Sequence, residues 1–218
     1  MDIAIFDFDG VLIDSKAGYV SSLIDAAKSF SITGLSSDEL ALRMNFPMDS
    51  QLQYILGNTH TTEREDALLA CFRRVCLEEP ALGVTTFPGV FDMLNHLTDT
   101  GLVLGLCTNK PHDLARVVLR ELELDQFFTF VYGGDAGVKR KPAPDMIYAI
   151  LNDSGVATSR AVLIGDSVSD IEAAKNACIS SVAVSWGYTS RDRLIAAEPD
   201  HVFDDCGEIV SYFTEASL

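Results

Sequence analysis

Asp7 and Asp9 are the residues in this chain that first suggest chemistry. They close a short, mostly apolar run, Asp2 to Phe8, and Gly10 follows at once. Such a run, stopped abruptly by glycine, predicts a buried strand and a sharp turn. Carboxylates at i and i+2 on a strand point the same way. Two like charges held that close are unfavourable unless a cation or a proton sits between them. The pair is therefore either an acidic turn or part of a metal-dependent acid–base site.

Three other places carry complementary chemistry. Leu102 to Cys107 is a continuous apolar run that ends in Thr108-Asn109-Lys110-Pro111. Ala161 to Ile164 is another, ending in Gly165-Asp166-Ser167, with Asp170 one helical turn on. Lys139-Arg140-Lys141, just before Pro142, is the densest basic cluster in a chain of net charge −16. If Asp7, Asp9, Asp166 and Asp170 converge with a phosphate dianion, hydrogen bonds alone do not hold the charge together. A hard divalent cation with oxygen ligands is the natural counter-charge, and Mg2+ also polarises phosphoryl groups. Thr108 and the amides at a following helix start are suited to phosphoryl oxygens. Each piece also has a plain structural role open to it. Thr108-Asn109 can cap, Asp166-Ser167 can be a helix N-cap, and Lys139 to Lys141 can be a solvated run. Coincidence of all of them at strand ends favours the site.

The elements that would position these residues follow from apolar spacing. A helix is predicted from Ser15 to Phe30, on a stripe of Tyr19, Leu23, Ala26, Ala27 and Phe30. Ser36 or Ser37 would cap a short helix through Leu42, and Asp49 one through Leu56. Thr62-x-x-Glu65 has the form of a capping box for a helix ending near Glu78-Glu79-Pro80. Residues 15 to 80 thus read as helical. From Leu82 strands and helices alternate. Pro88 would start a helix, Pro111 to Glu121 is another, and Phe127 to Tyr132 is a strand. Pro144 opens a helix stopped at Gly155, and the Ile171, Ala174, Lys175, Cys178 spacing gives one more. Ser181 to Val184 and His201 to Phe203 are strands, Arg191 to Ala197 is a short helix, and Glu208 to Phe213 closes the chain. Apolar strands alternating with helices predict an α/β fold, a Rossmann-like doubly wound parallel sheet. Ligands bind such sheets beyond the C-terminal strand ends. The expected domains are a core of residues 1–14 and 83–218 and an inserted α-helical cap of residues 15–82, lying over that edge.

Composition narrows the function classes. At 218 residues and 48 % hydrophobic, the chain can bury a sizeable core. The acidic balance disfavours nucleic acid and anionic membrane as partners. No apolar run approaches the ~18 residues of a membrane span, and the N-terminus lacks a basic leader; a cytoplasmic location is the expectation. Cys71, Cys76, Cys107, Cys178 and Cys206 are scattered and read as reduced, mostly buried thiols rather than a zinc site. His60, His96, His112 and His201 are isolated and read as structural or surface residues. Trp186 and Tyr188 read as packing residues, with lining of the site as the alternative.

Four segments together resemble the haloacid dehalogenase superfamily. They are Asp7-Phe8-Asp9-Gly10-Val11-Leu12-Ile13-Asp14-Ser15, Cys107-Thr108-Asn109-Lys110, Lys141-Pro142-Ala143-Pro144-Asp145 and Gly165-Asp166-Ser167-Val168-Ser169-Asp170, in the family's order. Phe87-Pro88-Gly89-Val90 and Val184 to Tyr188 further resemble the phosphoglycolate phosphatases. The resemblance implies a Mg2+-dependent phosphatase acting on a small phosphorylated metabolite through an aspartyl-phosphate. It implies Asp7 as nucleophile and Asp9 as the acid that then becomes the base. Asp7, the carbonyl of Asp9 and Asp166 would hold the metal, with Asp170 in support. Thr108, Asn109 and Lys141 would bind the phosphoryl group. Asp9 argues against the dehalogenase and phosphonoacetaldehyde hydrolase branches, which lack a second acidic residue there. Thr108-Asn109-Lys110 resembles the phosphatases more than the β-phosphoglucomutases. A sugar-phosphate mutase, an inorganic pyrophosphatase and a phospho-accepting receiver domain are the alternatives. Arg43, Asn45 and Met48 are candidates for a specificity loop in the cap. A monomer or weak homodimer is expected.

Overall fold

The computed structural model describes residues 1–44 and 46–215; Asn45, one of the candidate cap residues, lies outside the described residues. The chain forms two compact units, one of Met1–Asp14 with Thr86 onward, the other Ser15–Thr85.

The first unit is built on a six-stranded parallel sheet. Its strands are β1 (Ile3–Phe6), β4 (Val103–Cys107), β5 (Phe130–Tyr132), β6 (Ala161–Gly165), β7 (Ser180–Val184) and β8 (His201–Phe203). They lie in the order β5-β4-β1-β6-β7-β8. A separate two-stranded ribbon pairs β2 (Ile13–Asp14) with β3 (Thr85–Thr86). Helices α5 (Val90–Asp99), α6 (His112–Glu121), α7 (Asp145–Ser154), α8 (Val168–Ala177), α9 (Arg191–Ala196) and α10 (Cys206–Glu215) connect and flank the sheet strands. The doubly wound α/β fold is as the alternation of apolar runs implied. The central strands read as unbroken apolar segments because both faces are covered. Ile3 and Ile5 point into a cluster with Met146, Ile147 and Ile150 of α7 and Ala173, Ala174 and Ala177 of α8. Ala4 and Phe6 face the other way, fully buried, and Phe6 meets Phe128 edge to face at 6.3 Å.

Strand order reverses at β1, which pairs with β4 on one side and β6 on the other. Phe6 is level with Leu106 and with Ile164. The three strand ends that carry Asp7, Thr108 and Asp166 are therefore neighbours at the point where helices diverge to opposite faces.

The second unit is helical: α1 (Lys16–Lys28), α2 (Ser37–Arg43), α3 (Met48–Leu56) and α4 (Thr62–Glu78). Its core joins Leu23, Ala26 and Ala27 to Leu40, Leu52, Ile55, Leu68 and Phe72. The buried Gln51 accepts from the Tyr19 hydroxyl at 2.9 Å and donates to Phe46 O at 2.8 Å, so its amide is satisfied inside the unit. Of the candidate specificity residues, Arg43 is held over the Tyr54 ring at 3.7 Å, and Met48 packs against the unit's core.

Several boundaries differ from the sequence expectation. The α4 cap is Thr61, one residue before the expected Thr62, because its side chain accepts from Arg64 N. Asp49 does not cap α3; that helix begins after Pro47, and Asp49 Oδ1 instead takes Ser50 N–H. Pro88 precedes α5, whose N-cap is Gly89 in the left-handed region. Strand β5 starts at Phe130 because Asp125–Phe127 form a tight 3-10 turn. Among the cysteines only Cys107 and Cys206 are buried; Cys71 and Cys76 are half-buried and Cys178 is exposed, all as free thiols.

Candidate active site

Strand β1 ends at Phe6, so Asp7 and Asp9 follow it rather than lie on it. Asp7 N–H still donates to Ile164 O at 2.9 Å, which keeps that residue at the level of the sheet ladder. Beyond it the chain wraps tightly: Leu12 and Ile13 N–H both donate to Phe8 O, and Phe8 is fully buried. Asp7 and Asp9 therefore leave opposite flanks of an anchored aromatic residue and meet different partners.

Asp7 is buried. Its Oδ1 accepts from Phe8 N–H at 2.7 Å and lies 2.9 Å from the Lys141 ammonium. The same ammonium is 2.6 Å from Asp170 Oδ1, and its side chain is only 1 % exposed. Lys139 and Arg140 are both exposed, so of the basic cluster it is Lys141 that enters the interior. Asp170 Oδ2 closes a capping box at the start of α8, accepting from Ser167 N–H at 3.0 Å while Ser167 caps Asp170 N–H. Both oxygens of Asp170 are thus engaged by the protein. The N-cap role open to Asp166-Ser167 falls to Ser167, which leaves Asp166 to point elsewhere.

Asp166 is held from three sides. Its Oδ2 accepts from Tyr188 N–H at 2.7 Å. A Cβ on Gly10, whose φ is +83°, would fall 2.2 Å from that oxygen, and a Cβ on Gly187 would fall 2.3 Å from Asp166 Cβ. Only glycine at both positions leaves room for the carboxylate. Asp7, Asp166 and Asp170, all buried, each offer an oxygen within 4.8 Å of the others.

Thr108 is buried at the end of β4, its N–H on Tyr132 O at 3.0 Å and its hydroxyl accepting from Lys110 N–H at 3.2 Å. Asn109 uses its side-chain amide on Lys141 O at 3.1 Å, so it fixes the loop that delivers the ammonium. Asp9 is half-buried, and Lys110 Nζ lies 2.8 Å and 3.0 Å from its two oxygens. The Trp186 indole donates to Val11 O at 3.0 Å, and the Tyr188 hydroxyl donates to Asp14 Oδ1 at 3.1 Å.

The electrostatics call for another cation. Burial pushes Asp7 up to about 7; Lys141 opposes the rise and Asp170 adds to it. Burial also lifts Asp166 well above the usual carboxylate range, helped by the charges of Asp170 and Asp7, against the Tyr188 N–H. Burial disfavours the Lys141 ammonium, but Asp170 and Asp7 overcome this and hold it above its ordinary value. Three carboxylates against one ammonium leave two negative charges, and the donor set is all oxygen. A hard divalent ion fits that charge and that chemistry. Cys107, next to the cluster, is pushed up to about 12 by burial and stays a thiol.

From the sequence, Lys110 and Gly187 have no site role and Tyr188 reads mainly as packing, yet the structure places all three against the acidic residues. Lys110 sits at a strand end beside Thr108, which was a usable signal. Tyr188 follows a strand end as well, but its backbone contact to Asp166 spans 22 residues and no local pattern shows it.

The geometry agrees with comparisons to known proteins. The family model of haloacid dehalogenase-like hydrolases matches residues 4–184. The phosphoglycolate phosphatase of Agrobacterium fabrum is 32 % identical over 206 residues, covering 93 % of this chain and 88 % of that protein. The phosphoglycolate phosphatase of Rhodospirillum rubrum is 33 % identical over 210 residues, covering 92 % and 86 %. The crystal structure of a predicted phosphoglycolate phosphatase from Haemophilus somnus superposes with a TM-score of 0.89 at 23 % identity, covering 98 % of each chain.

Proposed function

The chain belongs to the haloacid dehalogenase-like hydrolases and is an enzyme of the phosphatase kind, and from that premise we propose that it hydrolyses a small phosphorylated metabolite, phosphoglycolate first among them, through a phosphoryl group carried on Asp7. The observation that carries the proposal is the buried Asp7–Lys141–Asp170 arrangement with Asp166 beside it at the adjoining strand end. Curated relatives that span nearly the whole chain and bear that substrate's name support the choice of phosphoglycolate.

Asp7 and Asp166 would hold Mg2+ with the carbonyl of Asp9, while Asp170 orients Lys141 and the start of α8. Mg2+, when bound, supplies the charge that keeps Asp7 ionised and polarises the phosphoryl oxygens. An Asp7 oxygen attacks phosphorus as the ester O–P bond breaks, and Asp9 gives its proton to the departing oxygen. Asp9 then takes a proton from the water that attacks the aspartyl-phosphate, releasing phosphate and restoring the Asp7 carboxylate. Lys141 would neutralise charge on the phosphoryl group from the buried side, and Thr108 would bind one of its oxygens through the hydroxyl proton. The inserted helical unit, residues 15–85, would serve as a cap that contributes to substrate choice.

The test is phosphate release from p-nitrophenyl phosphate and a panel of metabolite phosphates with Mg2+, compared between the wild type and Asp7→Asn. Asp7→Asn should abolish turnover with the circular dichroism of the wild type retained. Substantial residual turnover in that variant would remove Asp7 as nucleophile.

A further inference from the structure

Lys110 has a position that the reaction as described does not use. Its backbone is tied down on both sides: its N–H donates to Thr108 Oγ1 at 3.2 Å and its carbonyl accepts from Gly134 N–H at 2.8 Å. Its ammonium reaches both oxygens of Asp9. The two side chains are 14 % and 22 % exposed, so this pair faces an accessible space, whereas the Lys141 ammonium is sealed beneath the nucleophile. An ammonium has three N–H donors. Asp9 takes two, and the third can meet an incoming oxygen without the contact to Asp9 being given up.

Resting on the phosphatase reading above, we propose that Lys110 determines specificity by binding a carboxylate carried on the leaving group, so that the enzyme selects phosphate esters of 2-hydroxy acids over uncharged alkyl esters. The leaving oxygen must come within hydrogen-bond reach of Asp9, about 2.6–3.2 Å. With Nζ 2.8 and 3.0 Å from the two Asp9 oxygens, that oxygen lies within roughly 6 Å of the ammonium. A carboxylate on the adjacent carbon spans the remaining gap. Charge makes the contact worth having. A protein of net charge −16 repels a substrate that is anionic at both ends, and a fixed ammonium beside the acid supplies the local reversal of sign. The partly exposed setting leaves the interaction charge-assisted without sealing it from the substrate.

The experiment measures kcat and KM for 2-phosphoglycolate and for ethyl phosphate, which lacks the carboxylate, in wild type, Lys110→Met, Lys110→Gln and Lys110→Arg, with Mg2+ present. The wild type should prefer 2-phosphoglycolate in kcat/KM. Lys110→Met should reduce the ratio of the two kcat/KM values by about 10–100-fold, mainly through KM for 2-phosphoglycolate. Lys110→Gln should do the same, and Lys110→Arg should keep most of the preference. If Lys110 only orients Asp9, both esters lose kcat in proportion and the ratio stays put; that result overturns the inference. A wild type that shows no preference for 2-phosphoglycolate overturns it regardless of how the variants fold. Activity on p-nitrophenyl phosphate but on neither ester overturns it while sparing the phosphatase reading. Inactivity on all three removes that reading and the inference with it.

Discussion

Without metal, this protein should lose stability as pH rises from 5.5 to 7. The perturbation is chelation, and the cause is the cost of ionising Asp7 and Asp166 among buried neighbours. Asp7 is raised from 3.8 to about 7 on folding. Between those values the native state binds more protons than the unfolded chain, so stability falls with rising pH by up to about 1.4 kcal/mol per unit for each such group. From pH 5.5 to 7 Asp7 alone accounts for about 2 kcal/mol, and Asp166 acts in the same direction. Lys141 also binds its proton more tightly in the folded chain, but its window lies higher: its contribution is complete throughout this range and is lost only above its unfolded value of 10.5. The lowered carboxylates Asp200, Asp204 and Glu63 add stability that is already present by pH 5.5. For a chain of this length about 2 kcal/mol corresponds to a fall in Tm of roughly 4–8 °C. The assay is urea or thermal unfolding in EDTA across that range, repeated with Mg2+. At pH 8, Mg2+ at about 100 times its Kd should return ~2.7 kcal/mol. Asp7→Asn should remove Asp7's share of the slope. A metal-free stability that is flat or rising from pH 5.5 to 7, or an Asp7→Asn variant with the wild-type slope, would refute the account of the buried charges.

The other predictions concern the groups that hold this cluster. Lys141→Met leaves Asp7 and Asp170 buried without their shared ammonium, and should cost about 3–5 kcal/mol in EDTA at pH 8 by urea unfolding; the cost should shrink at pH 5.5, where Asp7 is protonated. Equal stability of the variant and wild type at pH 8 would mean that Lys141 balances nothing. Gly187→Ala puts a Cβ within 2.3–2.4 Å of the Asp166 side chain and 2.6 Å from the Gly10 carbonyl, so it should lower the Tm and weaken Mg2+ activation by about 10–100-fold; an unaltered Mg2+ titration would show that Asp166 is not held in a metal-binding pose by that contact.

The sheet was legible because central parallel strands are written as unbroken apolar runs. Val103–Cys107 and Ala161–Gly165 announce themselves, and so does the polar residue at which each one stops. Helix starts were less legible, since capping is decided by one side-chain bond. Thr61 and Thr62 have the same chemistry, and only the backbone angle at Thr61 selects it. In the site, Asp7, Asp9, Thr108 and Asp166 stand out by type at the ends of apolar runs, Lys141 by its basic cluster and Asp170 by its spacing from Asp166, but the pairings do not. Lys110 reaches Asp9 across 101 residues and Tyr188 reaches Asp166 across 22. The resemblance implies Asn109 as a phosphate ligand, and the bond from its amide to the Lys141 carbonyl, 32 residues away, is not visible in either segment. Contacts of this range are set by sheet order, which a linear pattern does not contain.

Asp7 and Asp9 show the consequence most directly. They are the same residue type two positions apart, and strand periodicity alone would give them the same surroundings. The chain departs from the strand at Phe6, and the fully buried Phe8 anchors the turn between them. One carboxylate is then held in the interior against Lys141, and the other reaches an accessible space against Lys110. A nucleophile must be fixed and shielded from water until phosphorus arrives, whereas an acid–base group must exchange protons with a leaving group and then with water. On the proposed mechanism the two ammonium partners, brought by two different segments, would separate those tasks. Exchanging the partners' accessibility, rather than the carboxylates themselves, is the change that would most directly confuse the two roles.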